Sequence, residues 1–278
     1  SNNDSGTSNT IFGKLAGAAL ASGGNYNLFI GEEAGNDLTT GDNNIAIGYQ
    51  ALDLATTNST DNIAIGYQSM HGNWTTANVD ECIAIGSLSL GGVLTNTAYG
   101  TVAIGASALA ALTSGAGNVA VGYQAHAAQT DGAYNTVIGY QAMDAADSGE
   151  SNNVVIGYWA GGAVNATGTD DNVFIGYKAG QGGTANRAGN VAIGSGAWDA
   201  DVHIGGNENV FIGQDSGGGT WTGGGSDGNT AVGWGTMAGA MDASTNNTAV
   251  GKSALAAVTT GDYNTVLGGL AGDAINTG

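Results

Sequence analysis

A five-residue cassette recurs fifteen times along this chain and constrains the fold more than any other feature. Each copy reads Asn, then three apolar or Thr residues, then Gly, with few exceptions, and successive glycines are 17 to 20 residues apart. A mean spacing of about 18 residues is too short for helical-hairpin repeats and fits one coil of a β-solenoid. The cassette glycines are Gly13, Gly31, Gly48, Gly66, Gly86, Gly105, Gly122, Gly139, Gly157, Gly176, Gly194, Gly213, Gly233, Gly251 and Gly268.

The three residues before each glycine predict a short strand. Side chains alternate between the two faces of a strand, so the first and third residues, such as Ile45 and Ile47, share one face. Because both positions are apolar or Thr in every copy, we expect them to fill the inside of the coil. The middle residue, usually Ala as at Ala46 and Ala103, then points outward. An outward apolar stripe needs a cover, and a second copy of the chain is the simplest one.

Two further columns predict how the coils stack and turn. Asn stands four residues before the glycine in 13 of the fifteen copies, with Cys82 and Thr101 as the exceptions, and stacked Asn side chains can form an amide ladder. The glycine itself predicts a corner that a Cβ would forbid. A small residue always stands three positions after the glycine, which predicts a second strand lying close against the first.

The composition excludes several classes of function. The chain has 4 Lys and Arg residues against 23 Asp and Glu residues, for a net charge of −19. Nucleic acids and anionic membranes are bound through Lys and Arg, so neither is an expected partner. No apolar run reaches the roughly 20 residues that span a bilayer, so we expect no membrane insertion of this segment.

The cassette also carries a resemblance. The segments Asn44-Asn-Ile-Ala-Ile-Gly48-Tyr-Gln-Ala51 and Asn190-Val-Ala-Ile-Gly194-Ser-Gly-Ala197 resemble the head repeats of trimeric autotransporter adhesins. Similar repeats occur in phage tail and capsid fibres. The resemblance implies a left-handed parallel β-roll, three chains packed into one trunk, and binding to host matrix or to other cells.

These observations together predict an all-β protein. We expect a parallel β-solenoid of about fifteen coils, a single repeat domain over residues 1–278, forming part of a longer fibre. The resemblance adds a homotrimer, an extracellular, cell-surface or virion location, and a structural and adhesive function as an adhesin head or fibre shaft. The alternatives are a phage tail or capsid fibre and an extracellular filament subunit that stacks end to end.

No catalytic constellation is visible. His71, His126 and His203 are not spaced as a ligand set, and Cys82 stands in the Asn column away from any nucleophile signature. We therefore expect no enzymatic activity and no cofactor. A polysaccharide-degrading solenoid is the alternative from another class, but it needs paired carboxylates or clustered cations in a groove.

Candidate contact residues lie in the turns. Trp74 and Trp221 are candidates for contact with a glycan on a cell-surface or matrix receptor, because indole rings pack against sugars. Tyrosines that follow six of the cassette glycines predict a stacked row, with a sugar-binding strip as the alternative. Acidic residues ahead of the cassette form an edge that could attract Ca²⁺ or simply be solvated. These acids are Asp42, Asp61, Asp80, Glu81, Asp170, Asp171, Glu208, Asp227 and Asp262.

Overall fold

The predicted solenoid is present in a computed structural model of the chain. The structure describes residues 6–21, 23–55, 58–73, 79–95, 97–165, 168–182, 186–199, 206–219, 221, 225–275 and 277. The chain divides into two compact units, Ser1–Tyr134 and Asn135–Gly278. Both are parallel β-solenoids made from the same coil, and the described residues form strands and turns but no helix. The all-β fold class is confirmed, whereas one repeat domain over residues 1–278 stays a prediction.

Each cassette forms one three-residue strand, and neighbouring strands within a unit pair in parallel. The pairing keeps the columns in register, as in Ile45 with Ile63 and Ala46 with Ala64. The first unit contains β1 Thr10–Phe12, β2 Leu28–Ile30, β3 Ile45–Ile47, β4 Ile63–Ile65, β5 Ile83–Ile85, β6 Val102–Ile104 and β7 Val119–Val121. The second contains β8 Thr136–Ile138, β9 Val154–Ile156, β10 Val173–Ile175, β11 Val191–Ile193, β12 Val210–Ile212, β13 Thr230–Val232, β14 Thr248–Val250 and β15 Thr265–Leu267.

The structure reverses the predicted inner and outer faces of the strands. From β2 to β14 the middle residue is fully buried, as at Ala46 and Ala103, while the first and third residues remain partly exposed. Ile104, which we expected inside the coil, lies on the outer face. The interior is too thin for two large residues per strand, because it is also filled from the opposite side of the coil.

The residue four positions after the glycine fills the interior of the coil from the side opposite the strand. Where the middle strand residue is Ala, this residue is Leu, Met, His or Trp, as in the pair Ala103 and Leu109. Where it is Ile, Val or Phe, the residue is Gly, except for Val137 with Met143. A Cβ added to Gly35 would lie 2.8 Å from the Phe29 ring, so the two positions share one volume. Each coil therefore keeps a nearly constant interior, as close packing requires.

The side of the coil opposite the strand is not a second strand, contrary to the prediction. Residues two and four positions after each glycine have left-handed backbones, such as Gln50 with φ of 51° and Leu52 with φ of 50°. Their amides still bind both neighbouring coils. The Gln50 amide donates to Glu32 O at 3.0 Å, and the Leu52 amide donates to Ser69 O at 3.0 Å. This alternation turns the chain tightly while satisfying its polar groups.

The predicted corner and the predicted Asn ladder are both confirmed. The cassette glycines have φ between 129° and 145°, and a Cβ on Gly66 would lie 2.6 Å from Gly86 O. In the ladder, Asn44 Oδ1 accepts hydrogen bonds from the backbone amide and Nδ2 of Asn62, both at 3.1 Å. The same pattern links Asn9 to Asn62 in the first unit and Asn135 to Asn264 in the second.

Candidate interaction surfaces

The outer faces of the strands form a repeated apolar surface in both units. The first and third residues of each strand are aliphatic or Thr, apart from Phe12, and most stay half-buried, with Ile30 and Ile138 each 37% exposed. Successive strands repeat the pair about every 4.8 Å, so two aliphatic rows run along each unit. A repeated apolar surface of this kind can pack against another sheet.

Tyrosines form the predicted stacked rows beside this face. Tyr49 and Tyr67 have ring centroids 5.6 Å apart in the first unit. In the second, Tyr158 stacks between Tyr140 at 5.4 Å and Tyr177 at 5.6 Å, with interplanar angles of 9° and 12°. Both faces of the Tyr158 ring are covered by its neighbours. Tyr158 therefore offers its ring edge and hydroxyl group, not the open ring face that sugar stacking needs.

All four cationic side chains of the chain have partners nearby. Lys14 Nζ pairs with Glu32 Oε1 at 2.7 Å on the surface. Lys178 Nζ lies 5.4 Å from the Trp159 ring centroid, Lys252 Nζ lies 5.1 Å from that of Trp234, and Arg187 Cζ lies 4.3 Å from that of Trp198. Each cation therefore lies against a side chain of its own unit.

The acidic edge has a structural use. The Asp170 carboxylate accepts the Ser151 amide of the preceding coil at 2.7 Å, and Asp227 accepts the Asn207 amide at 2.7 Å. Asn25 fills the same column and accepts the Thr7 amide at 2.8 Å, so an uncharged acceptor makes the same hydrogen bond there. Within the described residues, no group of three or more His, Cys, Asp or Glu side chains is placed to hold a metal ion. Ca²⁺ at this edge stays a prediction.

Of the two tryptophans predicted to contact a glycan, the structure describes only Trp221. Trp221 is only 1% exposed, so the prediction for this residue is wrong. Its ring packs against Trp198 and Phe211, with centroids 5.6 and 5.8 Å away, because the coil turns it inward as core. Trp74 lies outside the described residues.

The histidines and the cysteine have separate surroundings. His71 Nε2 lies 3.1 Å from Gln50 Oε1, His126 is fully buried, and His203 lies outside the described residues. Cys82 replaces Asn in the ladder: its amide donates to Asn62 Oδ1 at 3.0 Å and its thiol donates to Ala98 O at 3.2 Å. Burial raises the pKa of this thiol to about 11, which disfavours the reactive thiolate.

Comparisons with known proteins add no relative. No protein-family model, no curated protein and no solved structure matches this chain. In the part of the chain that the structure describes, no helix is long and apolar enough to cross a membrane.

Two sets of buried residues were not predicted from the sequence. The interior residues four positions after the glycine were missed, although their inverse relation in size to the middle strand residue was visible in the aligned columns. Arg187 and Trp198 were also missed, because a lone Arg in a turn gives no signal of burial. The covariation in size between the middle strand residue and the residue four positions after the glycine would have assigned the strand faces correctly.

Proposed function

We propose that this chain is a structural and adhesive module of an extracellular fibre, such as an adhesin head or a fibre shaft, and not an enzyme. The aliphatic outer face of the strands carries the proposal, because it repeats without interruption in each unit and fits a flat partner. The Asn ladder, the strand pairing and the turn amides bind each coil to the next, which suits a part that must stay stiff under load.

A second copy of the chain is the partner that fits the outer face best. Soluble monomers rarely expose contiguous apolar patches beyond a few hundred Å², and the aliphatic rows extend over all strands of a unit. Identical chains related by a rotation axis along the strand stack would cover every coil at once. The number three comes from the resemblance to trimeric autotransporter heads. The apolar surface available to a partner is therefore formed by the flanking Ile and Val columns, not by the buried middle Ala column.

Charged substitutions on the outer face test the association. The triple variant Ile65→Glu, Ile85→Glu and Ile104→Glu should be monomeric in analytical ultracentrifugation, with an unchanged circular dichroism spectrum. The matched control places three Glu residues at exposed turn positions: Asn58→Glu, Val93→Glu and Thr97→Glu. It should keep the wild-type mass. A monomeric wild-type chain at micromolar concentration would contradict the proposal.

Adhesion is tested separately, with the assembled protein. Cell-surface and matrix glycans and proteins are immobilised, and binding of the wild-type assembly is compared with that of the monomeric triple variant. Repeated weak contacts gain strength from multivalency, so the monomer should bind at least about 100-fold more weakly. A reducing-end assay on the same polysaccharides should stay at background, since released ends would indicate the degrading enzyme. Filaments in electron micrographs would favour the alternative of end-to-end stacking.

A further inference from the structure

Arg187 is buried inside the unit Asn135–Gly278, and no acidic side chain among the described residues pairs with it. The residue is 1% exposed, and its guanidinium lies on the Trp198 ring. Nη1 donates one long hydrogen bond, 3.4 Å, to Gly180 O. Burial lowers the pKa of this guanidinium to about 10, so the group stays protonated at neutral pH.

The indole groups of Trp198, which Arg187 contacts, and of its neighbour Trp221 are likewise without acceptors among the described residues. The buried atoms Arg187 Nε, Trp198 Nε1 and Trp221 Nε1 have no hydrogen-bond partner in the part of the chain that the structure describes. The Trp198 and Trp221 rings are 5.6 Å apart, and Trp198 also contacts Phe174 and Phe211 at 6.1 and 5.7 Å between centroids. Three donors and one positive charge therefore gather around Trp198, in an aromatic interior.

The contacts among the described residues do not offset the cost of burying this cation. A cation–π contact recovers only part of the desolvation cost of an ion. Each unpaired buried donor adds to that cost. Indole and guanidinium groups only donate, so the absent partner must accept hydrogen bonds and carry negative charge. The edges of aromatic rings are also electropositive and favour an anion.

We propose that this unit binds a small monovalent anion, such as chloride, between Arg187, Trp198 and Trp221. The three residues follow β10, β11 and β12 respectively, so the anion would join successive coils and neutralise the buried charge. A halide fits better than a larger carboxylate or phosphate, because all three side chains are nearly inaccessible to solvent. This site is independent of the proposed adhesive function.

Anion replacement at constant ionic strength tests the site. Sodium gluconate, whose anion is too large for a closed interior, is exchanged stepwise for sodium chloride while thermal unfolding of the whole protein is followed. The wild-type Tm should rise by roughly 2–8 °C as the site fills. Arg187→Met should lose this dependence on chloride. Lys252→Met, which removes a cation from the ring of Trp234 at the surface, should retain it.

Two outcomes of the chloride titration would overturn the proposal. One is an equal rise in Tm for the wild type and Arg187→Met, and the other is no rise in the wild type. A second measurement does not depend on the variant folding: in crystals grown with bromide, an anomalous difference peak should lie beside the indole nitrogens of Trp198 and Trp221. A bromide derivative without such a peak would equally refute the site.

Discussion

His126 illustrates the cost of a titratable side chain in the interior of this repeat. It occupies the position that holds Leu109 one coil earlier, it is fully buried, and neither ring nitrogen has a hydrogen-bond partner within the described residues. Burial lowers its pKa to about 3, against an ordinary value of 6.5. The folded protein therefore keeps this imidazole neutral across the mildly acidic range.

The pH dependence of stability follows from that shift. Below about pH 6.5 the unfolded chain takes up a proton that the folded chain refuses until about pH 3, so the free energy of unfolding falls with decreasing pH. The loss is roughly 1.4 kcal/mol per pH unit in this window. We expect His126→Leu to abolish this loss and to stabilise the protein by about 1–3 kcal/mol even at neutral pH. His71→Gln serves as the control, and urea unfolding at pH 7 and pH 5 provides the measurement.

At the scale of one coil, the pair formed by the middle strand residue and the residue four positions after the glycine sets the interior volume. Gly35→Leu alone should destabilise strongly, because its side chain would collide with the Phe29 ring. Phe29→Ala alone should cost about 3–5 kcal/mol through the cavity it leaves. The double variant recreates the neighbouring pair Ala46 and Leu52 and should be more stable than either single variant.

A double-mutant cycle measures this coupling directly. Residues that share one volume should show an interaction free energy of roughly 0.5–3 kcal/mol, and the left-handed backbone at position 35 does not forbid Leu, since Leu52 has φ of 50°. Strictly additive effects of the two substitutions would disprove the shared volume. The same rule explains why Gly180 and Gly217 accompany Phe174 and Phe211.

At the scale of the whole molecule, charge opposes the association that the apolar face favours. The net charge is −19, and the few cations lie against side chains of their own chain, so two copies repel each other. Salt screens such repulsion over about 8–10 Å at physiological ionic strength. We therefore expect sedimentation to show more complete assembly as sodium chloride rises from low to physiological concentration. Assembly that weakens with salt would instead indicate an interface made of ion pairs.

The sequence by itself determined the period, the place of every strand, the glycine corner and the Asn ladder. Each of these depends on one column repeated fifteen times, and stacking in register turns a repeated side chain into a continuous contact. Only the tertiary structure decided which strand face lies inside, because both faces of residues such as Ile45 and Ala46 are apolar and alternation alone does not orient them. The inner face was decided by the side chain that fills the interior from the side opposite the strand, which is Leu52 in that coil. Trp221 is buried and Arg187 lies against Trp198 for a related reason, since burial in a thin coil depends on the space that the side chains of the neighbouring coil leave.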